Sequence, residues 1–308
     1  MRSVFNRTLL EIAEANPSLY LVVADIGYGE VESFAQRFPH RFFNVGVAEQ
    51  NMTGVACGIA MEGNTAVTYS IANFPTVRCL EQIRNDVCYH RANVKIVAVG
   101  GGMAYGELGV SHQATEDLAI MRSLPDMIVI APADFAEARA AVHAMITHQG
   151  PVYYRCGRKQ EPSLHAGVID FTIGKAIRVR EGRDVTLIGT GTVTYRAFLA
   201  AELLGKRGIQ ARVLSMHTVK PLDADAVNAA TAETGAIATV EEHNVLGGLG
   251  GAVAEVLAES GAGIPFTRIG IPDTYVHVVG SQGWLLDRFG ISPEAIARTA
   301  EGLVRRKR

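Results

Sequence analysis

The sequence lacks an excess of charge of either sign. It holds 29 lysines and arginines against 31 aspartates and glutamates, so the formal net charge is −2 over 308 residues. A basic field is what draws a protein to nucleic acid or to an anionic membrane surface. We therefore expect neither nucleic acid nor a membrane among its partners.

Cysteine is also scarce, and no two cysteines form a CxxC pair. The four cysteines, which lie far apart in the chain, are Cys57, Cys79, Cys88 and Cys156. Such spacing predicts reduced, mostly buried thiols in an intracellular protein rather than a disulfide framework. His217, His243 and His277 have no acidic or thiol partners at ligand spacing, although Glu241 and Glu242 precede His243. His143 and His148 are five residues apart on a predicted helix, which does not place them on one face. No metal site within the chain is predicted.

Long apolar runs are missing as well. No segment approaches the ~18 consecutive apolar residues of a membrane span. The N-terminal segment mixes charged with apolar residues and has no signal-peptide core. Hydrophobic residues still make up 48% of the chain and charged residues 19%, which is enough to bury a large core. We expect a soluble, cytoplasmic protein.

Short β-branched runs alternate with longer segments of helical period. The predicted strands of the first half are LYLVVAD, TAVTYS, NVKIVAVG, MIVIAP and PVYYR. Apolar strands separated by helices predict a mainly parallel sheet covered on both faces. A polar stretch, GRKQEPSLHAGVIDFT, interrupts this pattern before a second alternation, whose last helix should be capped by Ser292. We predict two consecutive α/β domains, residues 1–160 and 173–308, joined by a linker at 161–172.

Three glycine-rich turns follow predicted strands, in LIGTGTVTY, VLGGLGGAV and AVGGGMAYG. Glycines in this position let a backbone approach a pyrophosphate at a helix N-terminus. None of the three completes the GxGxxG pattern, so the sequence favours tight strand-to-helix turns over a dinucleotide site.

A carboxylate stands near the start of a predicted helix that is otherwise small and apolar. It is Glu49, in NVGVAEQNMTGVACGIAMEG. One interpretation is a charge placed favourably at the positive end of the helix dipole. The other is a carboxyl group kept in an apolar setting, formed by Val47, Ala48, Met52 and Val55, in order to do chemistry. The stretch alone leaves both open.

His112 lies in a long glycine-rich loop, within AVGGGMAYGELGVSHQATEDLAIMRSLP. Loops at the carboxyl end of parallel strands form ligand crevices. A histidine carried there can give or take a proton near neutral pH. The alternative is a helix-capping residue with no chemical role.

Taken together, three segments carry a resemblance to a known family. They are NVGVAEQNMTGVACGIAMEG, LEQIRNDVCY and SHQATEDLAIMRSLPDMIVIAPAD, in this order and spacing. In these and in TVEEHNVLGGLGGAVAE the chain resembles transketolase-like, thiamine-diphosphate-dependent enzymes over nearly its whole length. The resemblance implies a pyrimidine-binding domain followed by a transketolase C-terminal domain.

The resemblance also implies roles for particular residues. Glu49 would hydrogen-bond N1′ of the cofactor's aminopyrimidine ring, which lets that ring act as the base of the reaction. Phe74, in YSIANFPTVRC, would stack on the same ring, with Tyr69 as the alternative because the length of this segment varies among family members. His112 would contact the reacting oxygens of the substrate and assist proton transfers.

One part of the family pattern is missing. Family members bind Mg²⁺ and the diphosphate through GDG followed about thirty residues later by Asn, and this sequence contains no GDG. The resemblance therefore implies a split transketolase whose separate N-terminal subunit carries the GDG…N domain. We expect an α2β2 heterotetramer, with thiamine diphosphate and Mg²⁺ as cofactors and the metal ligands on the partner chain.

Positions that bind sugar phosphates in the family differ here. Leu108 stands where relatives carry an acidic residue that binds an acceptor hydroxyl, and Gly100 replaces a histidine at the start of the same loop. A serine of the first strand's loop is replaced near Gly29. Arg155, in YYRCGR, and Arg2 match arginines that hold phosphate, with a salt bridge as the alternative for Arg155. The substrates should be small sugars or aldehydes, with an atypical acceptor for the two-carbon ketol unit.

Three other functions stay open at this stage. The β subunit of a 2-oxo-acid dehydrogenase E1 shares the two-domain architecture, and a pyruvate-decarboxylating carboligase is also conceivable. A non-catalytic regulatory subunit would keep the fold without the chemistry. The loop sequence SHQATEDLAIMRSLPDM favours transketolase over E1, and the presence of both Glu49 and His112 favours an enzyme.

Overall fold

A computed structural model describes residues 1–158 and 161–307. The first domain is built on a sheet whose six sequential strands all run parallel. They are β1 (Leu19–Val23), β2 (Phe42–Asn44), β3 (Thr65–Ile71), β4 (Val94–Val99), β5 (Ile128–Ile130) and β6 (Val152–Cys156). Every residue of β4 and β6 is buried, as expected of parallel strands covered on both faces.

Helices cover both faces of this sheet. They are α1 (Arg2–Ala15), α2 (Glu32–Arg37), α3 (Glu49–Met61), α4 (Leu80–Gln82), α5 (Asp117–Ser123) and α6 (Phe135–Thr147), and α4 continues as a π-helical turn at Ile83–Cys88. One face packs Val22 of β1 against Met52 and Ala56 of α3. The opposite face packs Phe5 of α1 against Tyr69 of β3. The four cysteines are free and buried, as predicted.

The second half of the chain contributes another mainly parallel sheet. The strands of this half of the chain are β7 (Ile177–Arg180), β8 (Val185–Gly189), β9 (Ala211–Ser215), β10 (Thr218–Lys220), β11 (Ile237–Asn244) and β12 (Phe266–Ile271). Its helices are α7 (Thr194–Gly205), α8 (Ala224–Thr234), α9 (Leu249–Glu259), α10 (Gln282–Arg288) and α11 (Pro293–Arg306). The second sheet has the order β12-β11-β8-β9-β7, in which only β7 is antiparallel. The predicted fold class, two α/β domains with mainly parallel sheets, is confirmed.

β10 does not join the second sheet. It pairs antiparallel with β5, which makes the first sheet seven-stranded, in the order β10-β5-β6-β4-β3-β1-β2. β10 lies within the predicted second domain, residues 173–308, yet it completes the sheet of the first domain. The predicted domain boundary at residue 160 and the chain end at 308 lie outside the described residues.

The long elements follow the sequence patterns, and several short ones do not. Ser292 caps α11, where its side chain accepts a hydrogen bond from the backbone N–H of Ala295 at 3.2 Å, as predicted. The patterns did not indicate β2, β7, β10, α2 or α10, because three to seven residues hold too few repeats of either period. In the segment HQATEDLAIMRSL, whose apolar residues have helical period, the helix begins only at Asp117, so the residues before it extend the preceding loop. Within the described ranges, every helix is too short or too polar to cross a lipid bilayer.

Candidate active site

Three of the predicted site residues, Glu49, Phe74 and His112, come from one edge of the first sheet. β2, β3 and β4 run parallel, so their carboxyl ends meet at the same edge. Glu49 follows β2, Phe74 follows β3, and His112 lies in the loop after β4. This edge is where open α/β sheets form ligand crevices.

Glu49 is the first residue of α3 and is buried, with 2% of its surface exposed. Its Oε2 accepts a hydrogen bond from Nη1 of Arg78 at 2.7 Å. The apolar setting predicted for this carboxyl is only partly present. Met52 is fully buried beside it in α3, but Val47 is 76% exposed and a guanidinium supplies an ion pair. Glu49 is therefore a buried carboxylate with one charged partner that faces solvent.

Arg78 was not singled out in the sequence. Its Cζ lies 4.6 Å from the centroid of the Phe74 ring, and its side chain is 47% exposed. The guanidinium thus stacks on Phe74 while it donates to Glu49. The sequence carried no signal for these contacts, because Phe74 lies in a turn before the 3₁₀ helix Val77–Cys79 and Glu49 is 29 residues away from Arg78.

His112 meets the same group of side chains. Its ring centroid lies 5.2 Å from that of Phe74 and 6.3 Å from that of Tyr105. Its Nδ1 lies 2.9 Å from the Ser111 hydroxyl, and Nδ2 of Asn73 donates to the Ser111 carbonyl at 3.1 Å. The helix-cap alternative is wrong, since the N-cap of α5 is Glu116, four residues further along the chain.

Tyr69 lies elsewhere. Its ring is buried on the opposite face of the sheet, stacked on Phe5 with a centroid distance of 5.8 Å. Burial raises the pKa of its hydroxyl far above the usual value. Of the two aromatic candidates, the structure brings Phe74 and not Tyr69 together with Glu49 and His112.

Two of the substituted family positions line the His112 loop, residues 100–116. Leu108 is 53% exposed, in a 3₁₀ turn at Gly106–Leu108. Gly100 has a positive φ of 75°, and a Cβ there would lie 2.2 Å from Cε2 of Tyr105. The Tyr105 ring therefore fills the space next to Gly100 that a larger residue would need.

The two predicted arginines differ in their surroundings. Nε of Arg2 pairs with Glu30 at 2.8 Å on the partly exposed surface. Arg155 is buried, lies 2.9 Å from Asp117, and donates from Nη2 to the carbonyls of Ala114 and Glu242. This guanidinium is enclosed by protein groups, and the structure does not bring it together with Glu49.

Arg158, which was not predicted, has a more open position than Arg155. Its Cζ lies 4.2 Å from the centroid of the Tyr105 ring, and its Nη1 donates to the Ala104 carbonyl at 2.9 Å. It follows Arg155 by three residues in YYRCGR, so the motif itself contained this candidate. Across residues 1–158 and 161–307, no cluster of three or more His, Cys, Asp or Glu side chains could hold a metal ion.

Two protein-family models match this chain, one in each of its two domains. The pyrimidine binding domain of transketolase matches residues 1–162, and the C-terminal domain of transketolase matches residues 174–296. The chain belongs to the transketolase family. Members are thiamine-diphosphate-dependent transferases, so the predicted family and enzyme class are confirmed.

Individual transketolase subunits that resemble this chain have nearly the same length as it does. One subunit of the apulose-4-phosphate transketolase of Phocaeicola vulgatus is 38% identical, over 99% of this chain and 97% of that protein. A 6-deoxy-6-sulfo-D-fructose transketolase subunit of Clostridium sp. (strain MSTE9) is 39% identical, over 100% and 95%. A solved structure described as a split gene transketolase, inactive beta4 tetramer, is 40% identical with a TM-score of 0.91, and the match covers 100% of this chain and 98% of that one.

These matches support the prediction of a C-terminal subunit of a split transketolase. The E1 β subunit, the pyruvate-decarboxylating carboligase and the non-catalytic subunit gain no better support from them.

Proposed function

We propose that this chain supplies the aminopyrimidine half of a thiamine diphosphate site and works as the C-terminal subunit of a split transketolase. The assembled enzyme transfers a two-carbon ketol unit from a ketose to an aldose or aldehyde. When bound, thiamine diphosphate supplies a nucleophilic carbon that carries the two-carbon unit. The residues of this chain hold and orient the cofactor ring and move protons around it.

The observation that carries this proposal is the position of the Arg78 guanidinium. This flat group with N–H donors lies on the Phe74 ring and donates to the Glu49 carboxylate. An aminopyrimidine ring needs the same two contacts, an aromatic face and a carboxyl group. Phe74 and Glu49 thus fit the group that the family implies.

Arg78 must leave before Glu49 can serve the cofactor. The guanidinium occupies the Phe74 face and the Glu49 oxygen that the aminopyrimidine ring would contact, so the two groups cannot bind there together. The guanidinium is half exposed, so it can turn towards solvent. His112, 5.2 Å from Phe74, would then act on the substrate oxygens beside the ring.

The other half of the site would come from a separate subunit. The sequence contains no GDG, the motif that holds Mg²⁺ and the diphosphate in the family. Apolar side chains also remain exposed around the predicted site: Val47, Val77 and Val110 are 76%, 49% and 55% exposed. Exposed apolar side chains beside a ligand site are ones that a covering subunit would bury, and this supports the proposal of a partner. An α2β2 heterotetramer, located in the cytoplasm, is the assembly we propose.

The acceptor of the two-carbon unit is proposed to be atypical. Leu108 is exposed on the His112 loop and cannot accept a hydrogen bond from an acceptor hydroxyl. An unpaired hydroxyl costs roughly 1–3 kcal/mol, or about 5- to 150-fold in efficiency. Arg2 and Arg158 are more accessible to an anionic substrate than Arg155, although each pairs with a carboxylate, that of Glu30 and that of Glu107. The enclosure of Arg155 favours the salt-bridge alternative for it.

The experiment is reconstitution with a subunit that carries GDG…N. We expect ketol transfer only when both chains, thiamine diphosphate and Mg²⁺ are present, and no turnover by either chain alone. A panel of acceptors should show ribose 5-phosphate to be a poor one. Turnover by this chain alone would contradict the split site, and efficient transfer between xylulose 5-phosphate and ribose 5-phosphate would contradict the atypical acceptor. Activity with pyruvate and an electron acceptor would instead favour the E1 alternative.

A further inference from the structure

The His112 loop closes on itself at its base. Gly102 and Ala114 form an antiparallel bridge, in which each backbone N–H donates to the other residue's carbonyl, at 2.8 Å and 2.9 Å. We call Gly102–Met103 together with Ala114–Thr115 the loop neck. Because His112 lies two residues before Ala114, the position of its side chain depends on where this neck is held.

The second domain holds the loop neck in place. Oε1 of Glu242, in β11, accepts a hydrogen bond from the backbone N–H of Met103 at 2.8 Å. Two residues further along the same strand, Asn244 donates its backbone N–H to the Thr115 carbonyl at 2.8 Å. Both strands of the neck are therefore bonded to β11, a strand of the other sheet.

Both the side chain and the backbone carbonyl of Glu242 accept hydrogen bonds that hold the residue in place. It is 4% exposed, and Nε2 of Gln282 donates to its two carboxylate oxygens at 3.0 Å and 2.9 Å. Its carbonyl accepts from Nη2 of Arg155, which also donates to the carbonyl of Ala114. Burial raises the pKa of the Glu242 carboxyl group.

Gly102 of the loop neck packs tightly against the side chain of Glu242. Gly102 has a positive φ of 63°, and a Cβ there would lie 2.4 Å from Cγ of Glu242. Further along the loop, the N–H of Gly280 donates to the Gly106 carbonyl at 3.3 Å. The side chain of Glu242 is thus in direct contact with the loop neck. If Glu242 shifts, the loop must shift with it.

We infer that Glu242, together with Gln282, is a positioning residue that sets the place of His112 relative to Glu49 and Phe74. Through this contact the C-terminal domain takes part in the reaction without touching the substrate. The inference rests on the proposed role of His112. A displacement of about 1 Å of a reacting group can lower turnover about 100-fold, so such a contact has large effects.

Glu241 provides a matched control. It is a buried carboxylate in the same strand, but successive side chains of a strand point to opposite faces. Its oxygens accept the N–H groups of Leu249 and Gly250 at the start of α9, each at 2.8 Å. Glu241→Gln therefore perturbs the second domain to a similar degree without touching the loop neck.

The first measurement is amide hydrogen exchange on this chain alone, which does not depend on the proposed activity. In Gln282→Ala and Glu242→Gln, the amides of residues 102–115 should exchange roughly 10-fold faster than in the wild type. Gln282→Ala removes a half-buried side chain and keeps the experiment valid should a Glu242 variant fail to fold. Glu241→Gln should leave these amides unchanged. Unchanged exchange in both test variants would overturn the inference.

The second measurement is turnover by the reconstituted pair. Gln282→Ala and Glu242→Gln should lower kcat about 10- to 100-fold while the KM for thiamine diphosphate stays the same, because the ring contacts of Glu49 and Phe74 remain. Faster exchange with unchanged kcat, in an enzyme that His112→Asn impairs, would overturn the positioning role. Full activity of His112→Asn would overturn the proposed role of His112, and the exchange rates test the anchoring of the loop separately.

Discussion

Glu49→Gln lowers the turnover of the reconstituted enzyme by about 10²- to 10⁴-fold, the range expected for loss of a group that transfers or shares a proton. The amide has nearly the same size and still hydrogen-bonds a ring nitrogen, but it cannot share a proton with N1′. We therefore expect a fall in kcat that is much larger than the change in cofactor affinity. Steady-state kinetics with varied thiamine diphosphate separates the two.

Arg78→Gln is the matched control for this variant. Both substitutions remove the ion pair between Nη1 of Arg78 and Oε2 of Glu49, but only one removes the carboxyl group. If the pair merely stabilises the fold, the two variants lose similar amounts of activity. Our account predicts that Arg78→Gln keeps turnover near the wild-type value and binds thiamine diphosphate no more weakly. Equal loss in both variants would contradict the role of Glu49.

His112→Asn should lower kcat/KM for the sugar substrates by about 100-fold or more, because asparagine keeps a polar side chain but cannot transfer a proton. Affinity for thiamine diphosphate should change little, since the His112 ring meets that of Phe74 at an interplanar angle of 67° and is not stacked on it. Steady-state kinetics with varied sugar concentration measures the loss in kcat/KM. The same assay with varied thiamine diphosphate measures the change in cofactor affinity.

Ser111→Ala is the control for the histidine variant. It removes the hydroxyl that lies 2.9 Å from Nδ1 of His112 and leaves the imidazole in place. The loss of one hydrogen bond of ~0.5–1.5 kcal/mol should lower kcat/KM about 2- to 12-fold. This is well below the loss in kcat/KM expected for His112→Asn. An asparagine variant as active as the wild type would exclude His112 from the chemistry.

The sequence was sufficient for the fold class because apolar strands and longer helices alternate through both halves. The resemblance to transketolases pointed to Glu49, Phe74 and His112, and the structure places each of them after a parallel strand, which brings them to one edge of the sheet. The substitutions at Leu108 and Gly100 were visible as well. The space that Tyr105 takes next to Gly100 was not, because their contact depends on the path of the loop.

The sequence could not indicate contacts between distant segments. Arg155 matched a phosphate-binding position, yet its surroundings are set by Asp117 and by the backbone of Glu242, which is 87 residues away. The pairing of β10 with β5 likewise joins two domains that the sequence patterns separate. Arg78 and Glu242 carry no local pattern of their own, and their roles follow only from which groups they meet.

The measurement that most directly tests the central claim is an equilibrium titration of thiamine diphosphate, in the presence of Mg²⁺, into three samples. These are this chain alone, the GDG-containing subunit alone, and an equimolar mixture of both. If Glu49 and Phe74 form half of a shared site, tight and saturable binding occurs only in the mixture, and Glu49→Gln weakens it far less than removal of either subunit. Binding by this chain alone that is as tight as binding by the mixture would contradict the account.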